Sequence, residues 1–385
     1  MKRSKNKDSF QGSAKCVLES LYNSLTIIPR DQLSLVSIPE NTLSLLNTIL
    51  NGSNITFVYM LFTALLAKAT DEQIDPFILQ ISGTARTNLR SYDARSLCHN
   101  VVVPFEREHL AGVMGGSNEP FLNKPARYQK ICESNPTRTK NLQKVLCNLL
   151  SYITSSQIAK SILYELLTRL EKKKSEKKKS EEIIKKSLID RKEGTVALIL
   201  EEFLALASDC SYGGATATVT AVLSLKLLFE ATNSEFHVCA HPLNESGASS
   251  KETSDIDIKN SNGDVVLTME VKDKTFTVSD VEHAARKVSS SKIAHTTFLT
   301  GFSAHLEDCS KEECITRVKN SVGVEVHFLD LRTLVKTAET VSRLVSAHIL
   351  YQWYLEVTKL CKVSQAFLDH CHSNIWTNFV SADSL

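Results

Sequence analysis

The stretch 254–274, SDIDIKNSNGDVVLTMEVKDK, limits the possible folds of this chain more than any other segment. Acidic and aliphatic residues alternate over 255–258, with the period of a half-buried β-strand. Asn262-Gly263 is a strong short signal for a two-residue hairpin turn, and a second strand pattern follows over 265–272. The segment therefore predicts an antiparallel β-hairpin.

The register of this hairpin brings acidic side chains together. With a two-residue loop, Asp255 lies opposite Glu270. In the same register Asp257 lies opposite Thr268. Because alternate side chains of a strand point to one face, Lys272 shares that face with the three acids. The opposite face holds Ile256, Ile258, Met269 and Val271.

Three carboxylates beside one lysine repel one another on paired strands unless a cation neutralises them. Mg²⁺ binds carboxylate oxygens together with water and phosphate oxygens. The bound ion can lower the pKa of a water and stabilise negative charge on phosphorus, and a nearby lysine can orient that water. The group is therefore a candidate site for phosphodiester hydrolysis, and a solvent-facing hairpin of alternating charges is the alternative.

The composition is that of an ordinary globular protein without a strong overall charge. The 385 residues suffice for two or three domains, and 42% of them are hydrophobic. With 45 basic and 43 acidic residues, the net charge is only +2, so a nucleic-acid-binding surface has to be local. The first residues, MKRSKNKDSFQGS, lack the apolar segment of an export signal, and we find no apolar run of membrane-spanning length. We therefore expect a cytoplasmic protein with reduced cysteines and no membrane association.

A lysine-rich segment divides the chain. Residues 1–170 carry apolar side chains mainly at helical spacing, which predicts a mainly helical region. Residues 171–192 include the run EKKKSEKKKSEE, which is typical of a linker or a solvated helix, and we place a domain boundary there. Beyond it, helical and strand patterns alternate over 193–335, and 336–385 forms a helical extension.

The order of elements after this boundary predicts a mixed β-sheet flanked by helices, an α/β (α+β) fold. A crossover helix between two strands places those strands parallel, while the hairpin is antiparallel. The predicted helices are 195–207, 215–231, one that begins at a Ser279 cap, 310–320 and most of 331–369. The predicted strands are 236–241, the two arms of the hairpin, 296–300 and 324–329.

The hairpin SDIDI…MEVKDK, with a helix before it and a helix and strand after it, resembles the PD-(D/E)xK nuclease superfamily. Glu270-Val271-Lys272 matches the E-x-K of that motif, and the preceding acid is Asp255 or Asp257. The residue before Asp255 is a serine, where the superfamily often has proline. The resemblance implies that the aspartate and Glu270 bind Mg²⁺ with the backbone carbonyl of Val271. It also implies that Lys272 positions the attacking water.

The whole chain is similar to type II restriction endonucleases of the SacI type, in the passages SYDARSLCHNVVVPFE, SNEPFLNKPAR and EVKDKTFTVSDVEHA. This resemblance implies Mg²⁺-dependent hydrolysis of double-stranded DNA at a specific sequence, by a homodimer matched to a symmetric site. It also implies a companion DNA methyltransferase that acts on the same site. Two alternatives stay open: a repair or structure-specific nuclease of the same fold, and a non-catalytic DNA-binding module. The latter predicts a damaged acid–lysine set, and here the set is intact.

Basic residues outside the hairpin are candidates for DNA contacts. Arginine pairs with guanine edges and with phosphates, and a polar stretch at 81–119 carries several arginines. Surface ion pairs are the alternative for these residues. For Arg286, on the helix after the hairpin, the alternative is a salt bridge with Glu282 one helical turn away. The full set of candidates is Arg86, Arg90, Arg95, Lys124, Arg127 and Arg286.

Overall fold

A computed structural model of the chain divides into two compact units, Met1–Lys178 and Lys179–Leu385. The division falls inside one helix, Ser156–Ser187, so the lysine-rich segment is helical where the two units meet along the chain. The residues that the structure describes are 2–27, 33–79, 90–115, 120–122, 126–189, 191, 194–243 and 254–380.

The first unit consists of helices around one hydrophobic core. Its helices are α1 (Lys2–Ile27), α2 (Glu40–Leu50), α3 (Thr56–Thr70), α4 (Ala94–Leu97), α5 (Val103–His109), α6 (Lys140–Tyr152) and α7 (Ser156–Ser187), which continues into the second unit. Helix α3 is buried on all sides because its sequence is apolar around the whole circumference. The N-cap of α3 is Ile55 rather than Asn54, which the sequence offers as a cap, although Asn54 Oδ1 accepts a hydrogen bond from the Thr56 N–H at 3.1 Å.

Two features of this unit differ from the sequence expectation. Apolar spacing predicts a helix over 33–50, but α2 begins only at Glu40, because Pro39 holds an extended backbone at the N-cap. The polar stretch 81–119 contains a continuous helical run, in which the π-helical segment Cys98–Val102 joins α4 to α5. Its apolar side chains, among them Phe105, are buried in the core, which explains why the run folds.

The second unit contains one five-stranded sheet within the described residues. Strands β1 to β5 lie in chain order across it, antiparallel from β1 to β3 and parallel from β3 to β5. The strands are β1 (His237–Ala240), β2 (Ile256–Lys259), β3 (Val265–Lys272), β4 (His295–Thr300) and β5 (Glu325–Asp330). The helices are α8 (Thr195–Asp209), α9 (Ala215–Ala231), α10 (Val278–Ser290), α11 (Lys311–Val322), α12 (Leu331–Thr340), α13 (Ala347–Leu360) and α14 (Gln365–Asn374). The predicted mixed sheet flanked by helices is confirmed.

Both faces of this sheet are covered. Met269 and Leu299 pack in a core with α8, α9, α12 and α13, whereas Phe298 of β4 packs in a second core with α10 and α11. Polar groups buried between these layers need hydrogen-bond partners. Thr268 of β3 meets this need by donating from Oγ1 to Thr296 Oγ1 of β4 at 2.9 Å.

One predicted helix boundary in this unit is wrong, and one predicted helical stretch is divided. Helix α10 is capped by Thr277 rather than Ser279, because Thr277 and Asp280 bind each other's backbone N–H groups in a capping box. The predicted helical stretch 331–369 is divided into α12, α13 and α14, and the last two each begin at a serine N-cap.

One helical segment, 212–231, is long and apolar enough to cross a membrane by length and composition, contrary to the sequence expectation. Of its most apolar window, 67% is buried inside the protein. Buried hydroxyls in it donate to backbone carbonyls one turn earlier, as Thr220 does to Thr216 at 2.7 Å. This burial is what the core helix of a folded unit shows, and no second described helix meets the same length and composition.

Gly301 follows β4 where the chain passes close to Asp273. Its N–H donates to the Lys272 carbonyl at 2.8 Å, which ties it to the end of β3. A Cβ placed on Gly301 would lie 2.3 Å from Asp273 Oδ1 and 2.9 Å from its Cγ. The absence of a side chain at 301 therefore allows the two strand ends to approach each other.

Gly301→Ala is expected to destabilise the protein by roughly 1–3 kcal/mol, because the added methyl group must displace the Asp273 carboxyl or the end of β4. Thermal denaturation followed by circular dichroism measures the effect. Gly12→Ala in α1 is the control, since nothing lies within 4 Å of a Cβ at that position. A melting temperature that Gly301→Ala leaves unchanged would contradict the close approach.

Candidate active site

The acidic residues of the hairpin lie on adjacent strands in the predicted register. The predicted two-residue loop is wrong, however, because the register shifts by one between Ile258 and Lys259 and the Asn260 N–H donates to the Asp264 carbonyl at 2.9 Å. Asp257 of β2 pairs with Thr268 of β3. Asp255 lies just before β2, and its Oδ2 accepts a hydrogen bond from the Val271 N–H at 2.8 Å. That bond places Asp255 beside the segment of β3 that contains Glu270.

Glu270 and Lys272 form a sheltered ion pair on β3. Lys272 Nζ lies 2.8 Å from Glu270 Oε1, and the two side chains are only 18% and 21% exposed. The parallel neighbour β4 supports them, because Glu270 pairs with Phe298 and Lys272 with Thr300 in the strand register. Partly buried charges are screened by salt much less than surface charges, so this pair keeps a strong local field.

The carboxyl group of Asp255 lies in an environment that disfavours its charge. Burial and then the negative charge of Glu270 raise the pKa of Asp255 to about 6. The Val271 N–H, the Lys272 ammonium and His241 oppose this rise. A carboxyl pKa raised by burial and by a neighbouring acid is a common property of functional sites.

Asp257 is bound by protein groups at both carboxylate oxygens. It is 5% exposed, and its Oδ2 lies 2.8 Å from His241 Nε2. Its Oδ1 accepts a hydrogen bond from Ser254 Oγ at 2.9 Å. The two aspartates therefore have different surroundings, although the strand period directs both to one face.

Sequence reasoning misses His241 and Ser254. His241 directly follows β1, and its backbone N–H donates to the Asp255 carbonyl at 3.0 Å. A histidine that ends a predicted strand just before an acidic hairpin is the signal that identifies it. The contact of Ser254 with Asp257 has no comparable signal, since a serine near an acid is common in any loop.

The donor atoms at the hairpin fit a hard divalent cation such as Mg²⁺. Asp255 and Glu270 supply carboxylate oxygens, and Glu270 is close enough to disfavour the charge of Asp255. A cation between two such acids would remove their repulsion. The predicted metal site at Asp255, Glu270 and the Val271 carbonyl is therefore compatible with the folded structure.

A second group of potential metal ligands lies towards the amino-terminal ends of β4 and β5, whereas Lys272 lies beside the carboxyl end of β4. It consists of His295, Glu325 and His327, whose donor atoms all lie within 4.8 Å of one another. Glu325 is already paired there with Lys319 at 2.8 Å and with His295 at 3.2 Å. Nitrogen-rich ligands suit zinc more than magnesium, so this group does not compete for the predicted Mg²⁺ site.

The DNA-binding candidates of the first unit are only partly visible. Arg86 and Lys124 lie outside the described residues. Arg90, Arg95 and Arg127 are exposed. Exposure is compatible with DNA contacts and with surface ion pairs alike, so DNA binding by all five residues stays a prediction.

Arg286 lies in the salt bridge that the sequence offers as its alternative role. Its Nη2 is 3.0 Å from Glu282 Oε2, and Glu282 also accepts from Arg317 at 3.1 Å. The guanidinium is nevertheless 61% exposed, and such exposed pairs are weak enough for a phosphate to replace the acid. A phosphate contact of Arg286 also stays a prediction.

Comparisons with known proteins match both sides of the lysine-rich segment. The SacI restriction endonuclease N-terminal domain matches residues 13–174, and the SacI restriction endonuclease C-terminal domain matches residues 193–302. The type II restriction enzyme SacI of Streptomyces achromogenes is 35% identical over 86 residues. That alignment covers 22% of this chain and 23% of the relative, so it spans less than a quarter of the relative's length.

Asp255→Asn is expected to stabilise the metal-free protein at neutral pH by roughly 1–3 kcal/mol, because it removes a charge that folding disfavours. The pKa of Asp255 is about 6 in the folded protein, against an ordinary value of 3.8. The loss of stability caused by the charge of Asp255 is therefore absent below about pH 4 and fully present above about pH 6. Melting temperatures of wild type and variant, measured in EDTA across this range, should diverge as pH rises.

Asp257→Asn is the matched comparison on the same strand. It should destabilise the protein by roughly 1–3 kcal/mol, because the buried carboxylate loses charge-assisted contacts with His241 and Ser254. Equal effects of the two substitutions, or a loss of stability on Asp255→Asn at neutral pH, would contradict the different surroundings of these acids.

Proposed function

Because the chain belongs to the SacI restriction endonuclease family, we propose that it is a type II restriction endonuclease. On this proposal it hydrolyses phosphodiester bonds of double-stranded DNA at a specific sequence, with Mg²⁺ as cofactor. The observation that carries the proposal is the sheltered group of Asp255, Glu270 and Lys272 on adjacent strands of one hairpin. The proposal includes a cytoplasmic homodimer, which suits a two-fold symmetric DNA site, and a companion methyltransferase that acts on the same site.

Asp255 and Glu270 would hold the metal ion, with the Val271 carbonyl as a further oxygen donor. When bound, Mg²⁺ supplies positive charge that stabilises the developing phosphate charge and lowers the pKa of a water. The Val271 N–H fixes Oδ2 of Asp255 before DNA arrives, since their hydrogen bond is 2.8 Å long. A ligand that is already oriented loses little freedom when it binds its ion.

Lys272 acts on the reacting phosphate and the attacking water. Its ammonium is held at Glu270, which keeps it in the site rather than extended into solvent. An ammonium group has three N–H donors, so Nζ can bind Glu270 and still donate to a phosphate oxygen or a water. A cation that is oriented in advance stabilises charge growing on phosphorus without reorganisation.

Asp257 contributes as a positioning residue. Its contacts with His241 and Ser254 join the end of β1 to the start of β2, directly beside Asp255. Because both oxygens of Asp257 are bound by protein groups, Asp255 is the better candidate for the metal-binding aspartate. This assignment chooses between the two positions that the motif leaves open.

Plasmid DNA incubated with the protein and Mg²⁺ is expected to yield discrete fragments, and EDTA should prevent cleavage. Glu270→Gln and Lys272→Ala should each lower the single-turnover cleavage rate by roughly two to four orders of magnitude, because positioned catalytic groups contribute about that much. Their binding to duplex DNA, measured by fluorescence anisotropy, should change little. Sequencing of the cleaved ends then gives the recognition sequence.

Lys259→Ala, at the turn end of the same hairpin, is the control for the loss of a lysine. A smear, or cleavage only of branched DNA, would favour a repair or structure-specific nuclease. Binding without any cleavage by the wild type would favour the non-catalytic module. Cleavage by Lys272→Ala at nearly the wild-type rate would remove Lys272 from the catalytic set.

The basic residues of the first unit are proposed to read the DNA sequence. Binding residues concentrate on irregular segments carried by a rigid scaffold; of the described candidates, Arg90 and Arg127 lie in such segments and Arg95 lies in the short helix α4. One alanine substitution should relax cleavage at a single base position by about 1–3 kcal/mol, the discrimination of one arginine–guanine pair. The others should weaken binding to all sequences alike, because most protein–DNA contacts go to the backbone. The substitutions are Arg86→Ala, Arg90→Ala, Arg95→Ala, Lys124→Ala and Arg127→Ala.

The measurement is the cleavage rate on every single-base variant of the recognised site. An unchanged preference profile in all five variants would place recognition elsewhere, with residues 243–253 as the next candidate. The first unit would then have a role in dimerisation or a structural role.

A further inference from the structure

A cavity of about 610 Å³ opens at the carboxyl ends of β4 and β5. We call it the β4–β5 cavity. Its apolar lining includes Phe276, Phe302 and Leu306. Lys311 and Arg332 also line it, and both side chains are exposed. A cavity with an apolar lining and cationic side chains can hold an anion that carries an apolar group.

The β4–β5 cavity adjoins the catalytic hairpin. Thr300 and Gly301 line it, and both are neighbours of Lys272: Thr300 is its register partner, and the Gly301 N–H donates to its carbonyl at 2.8 Å. Adjacent strands are about 5 Å apart, so the cavity begins about one strand spacing from the catalytic lysine. In open sheets with parallel strands, ligands bind outside the carboxyl ends of the strands.

Aromatic rings hold the two cations of the cavity. Lys311 Nζ lies 5.5 Å from the ring centre of Phe328, and Arg332 Cζ lies 5.1 Å from that of Phe302. Neither cation pairs with a carboxylate in the described part of the chain. Lys319, in the last turn of the same helix as Lys311, is paired with an acid by contrast. An aromatic ring attracts a cation without neutralising it, so both charges remain available to an anion.

One acid also lines the cavity. Asp330 is the N-cap of α12, and its Oδ1 accepts a hydrogen bond from the Thr333 N–H at 3.1 Å. The positive end of that helix offsets the negative charge of Asp330. The cavity therefore keeps a net attraction for anions beside Lys311 and Arg332.

We propose that the β4–β5 cavity binds the DNA backbone next to the cleaved bond, with Lys311 and Arg332 contacting one phosphate. The inference rests on the proposed function and extends it to the part of the substrate that the catalytic group does not touch. From β3, which carries Lys272, to β5 is two β-strand spacings, or about 10 Å. Successive phosphates of one DNA strand are about 3.4 Å apart along the duplex axis. The contacted phosphate therefore lies within about three linkages of the cleaved bond, and its capture aligns that bond with Lys272.

The test uses Glu270→Gln as a non-cleaving parent and duplexes that contain the recognition sequence. Each duplex carries one neutral methylphosphonate linkage, at one of three positions on either side of the cleaved bond. One neutral linkage should weaken binding of the parent, and the same linkage should have a smaller effect after Lys311→Ala or Arg332→Ala and none in the double variant. Loss of one phosphate contact should also lower the slope of log affinity against log salt concentration by about 0.9.

Lys319→Ala is the matched control, because it removes the same charge from the same helix about 12 Å further along its axis. It should leave the sensitivity to every neutral linkage unchanged. If an alanine variant loses the circular dichroism spectrum of the folded protein, the measurement is repeated with Lys311→Gln or Arg332→Gln.

If the variants keep the sensitivity and the salt slope of the parent, the cavity does not bind the backbone, and the proposed function still stands where the wild type cleaves. If the wild type neither binds nor cleaves duplex DNA, the inference fails together with the proposed function.

Discussion

The pairing register of β2 with β3 is the constraint on which the second unit depends. Because strand side chains alternate, this register sends Asp257 and Glu270 to one face while Ile256 and Met269 enter the core. A slip by one residue would exchange the two sets and place carboxylates in apolar surroundings, so burial of the core enforces the register. Gly263, at a φ of 85°, supplies the left-handed turn from which this pairing starts.

The two aspartates of the hairpin contribute differently to the stability of the fold. Asp255 sits where burial and Glu270 disfavour its charge, whereas Asp257, two positions on, is fully bound by His241 and Ser254. Natural proteins accept such local costs at functional sites and compensate for them elsewhere. Here the compensation is the covered sheet, whose two hydrophobic cores hold the strands that carry the acids.

Local patterns predict the hairpin, its register, the acid–lysine set and the mixed sheet, because alternation and turn chemistry are properties of neighbouring residues. They fail where distant segments meet. His241 reaches Asp257 only through the pairing of β1 with β2, and Lys311 meets Phe328 only after α11 packs beside β5. Local patterns also miss the helical run around Phe105. Its sequence looks polar, and it becomes helical because its few apolar side chains pack into the core of the first unit.

The raised pKa of Asp255 has a consequence for the lifetime of the folded chain. An ion that binds only the folded state stabilises it by RT ln(1 + [L]/Kd), about 2.7 kcal/mol at a hundredfold excess over Kd. An ion between Asp255 and Glu270 would relieve the repulsion that disfavours charge on Asp255. Proteases degrade chains that open transiently, in proportion to the population of the open form. On the proposed function, fluctuations in cellular magnesium would set how much of the folded protein escapes proteolysis, in addition to its rate of DNA cleavage.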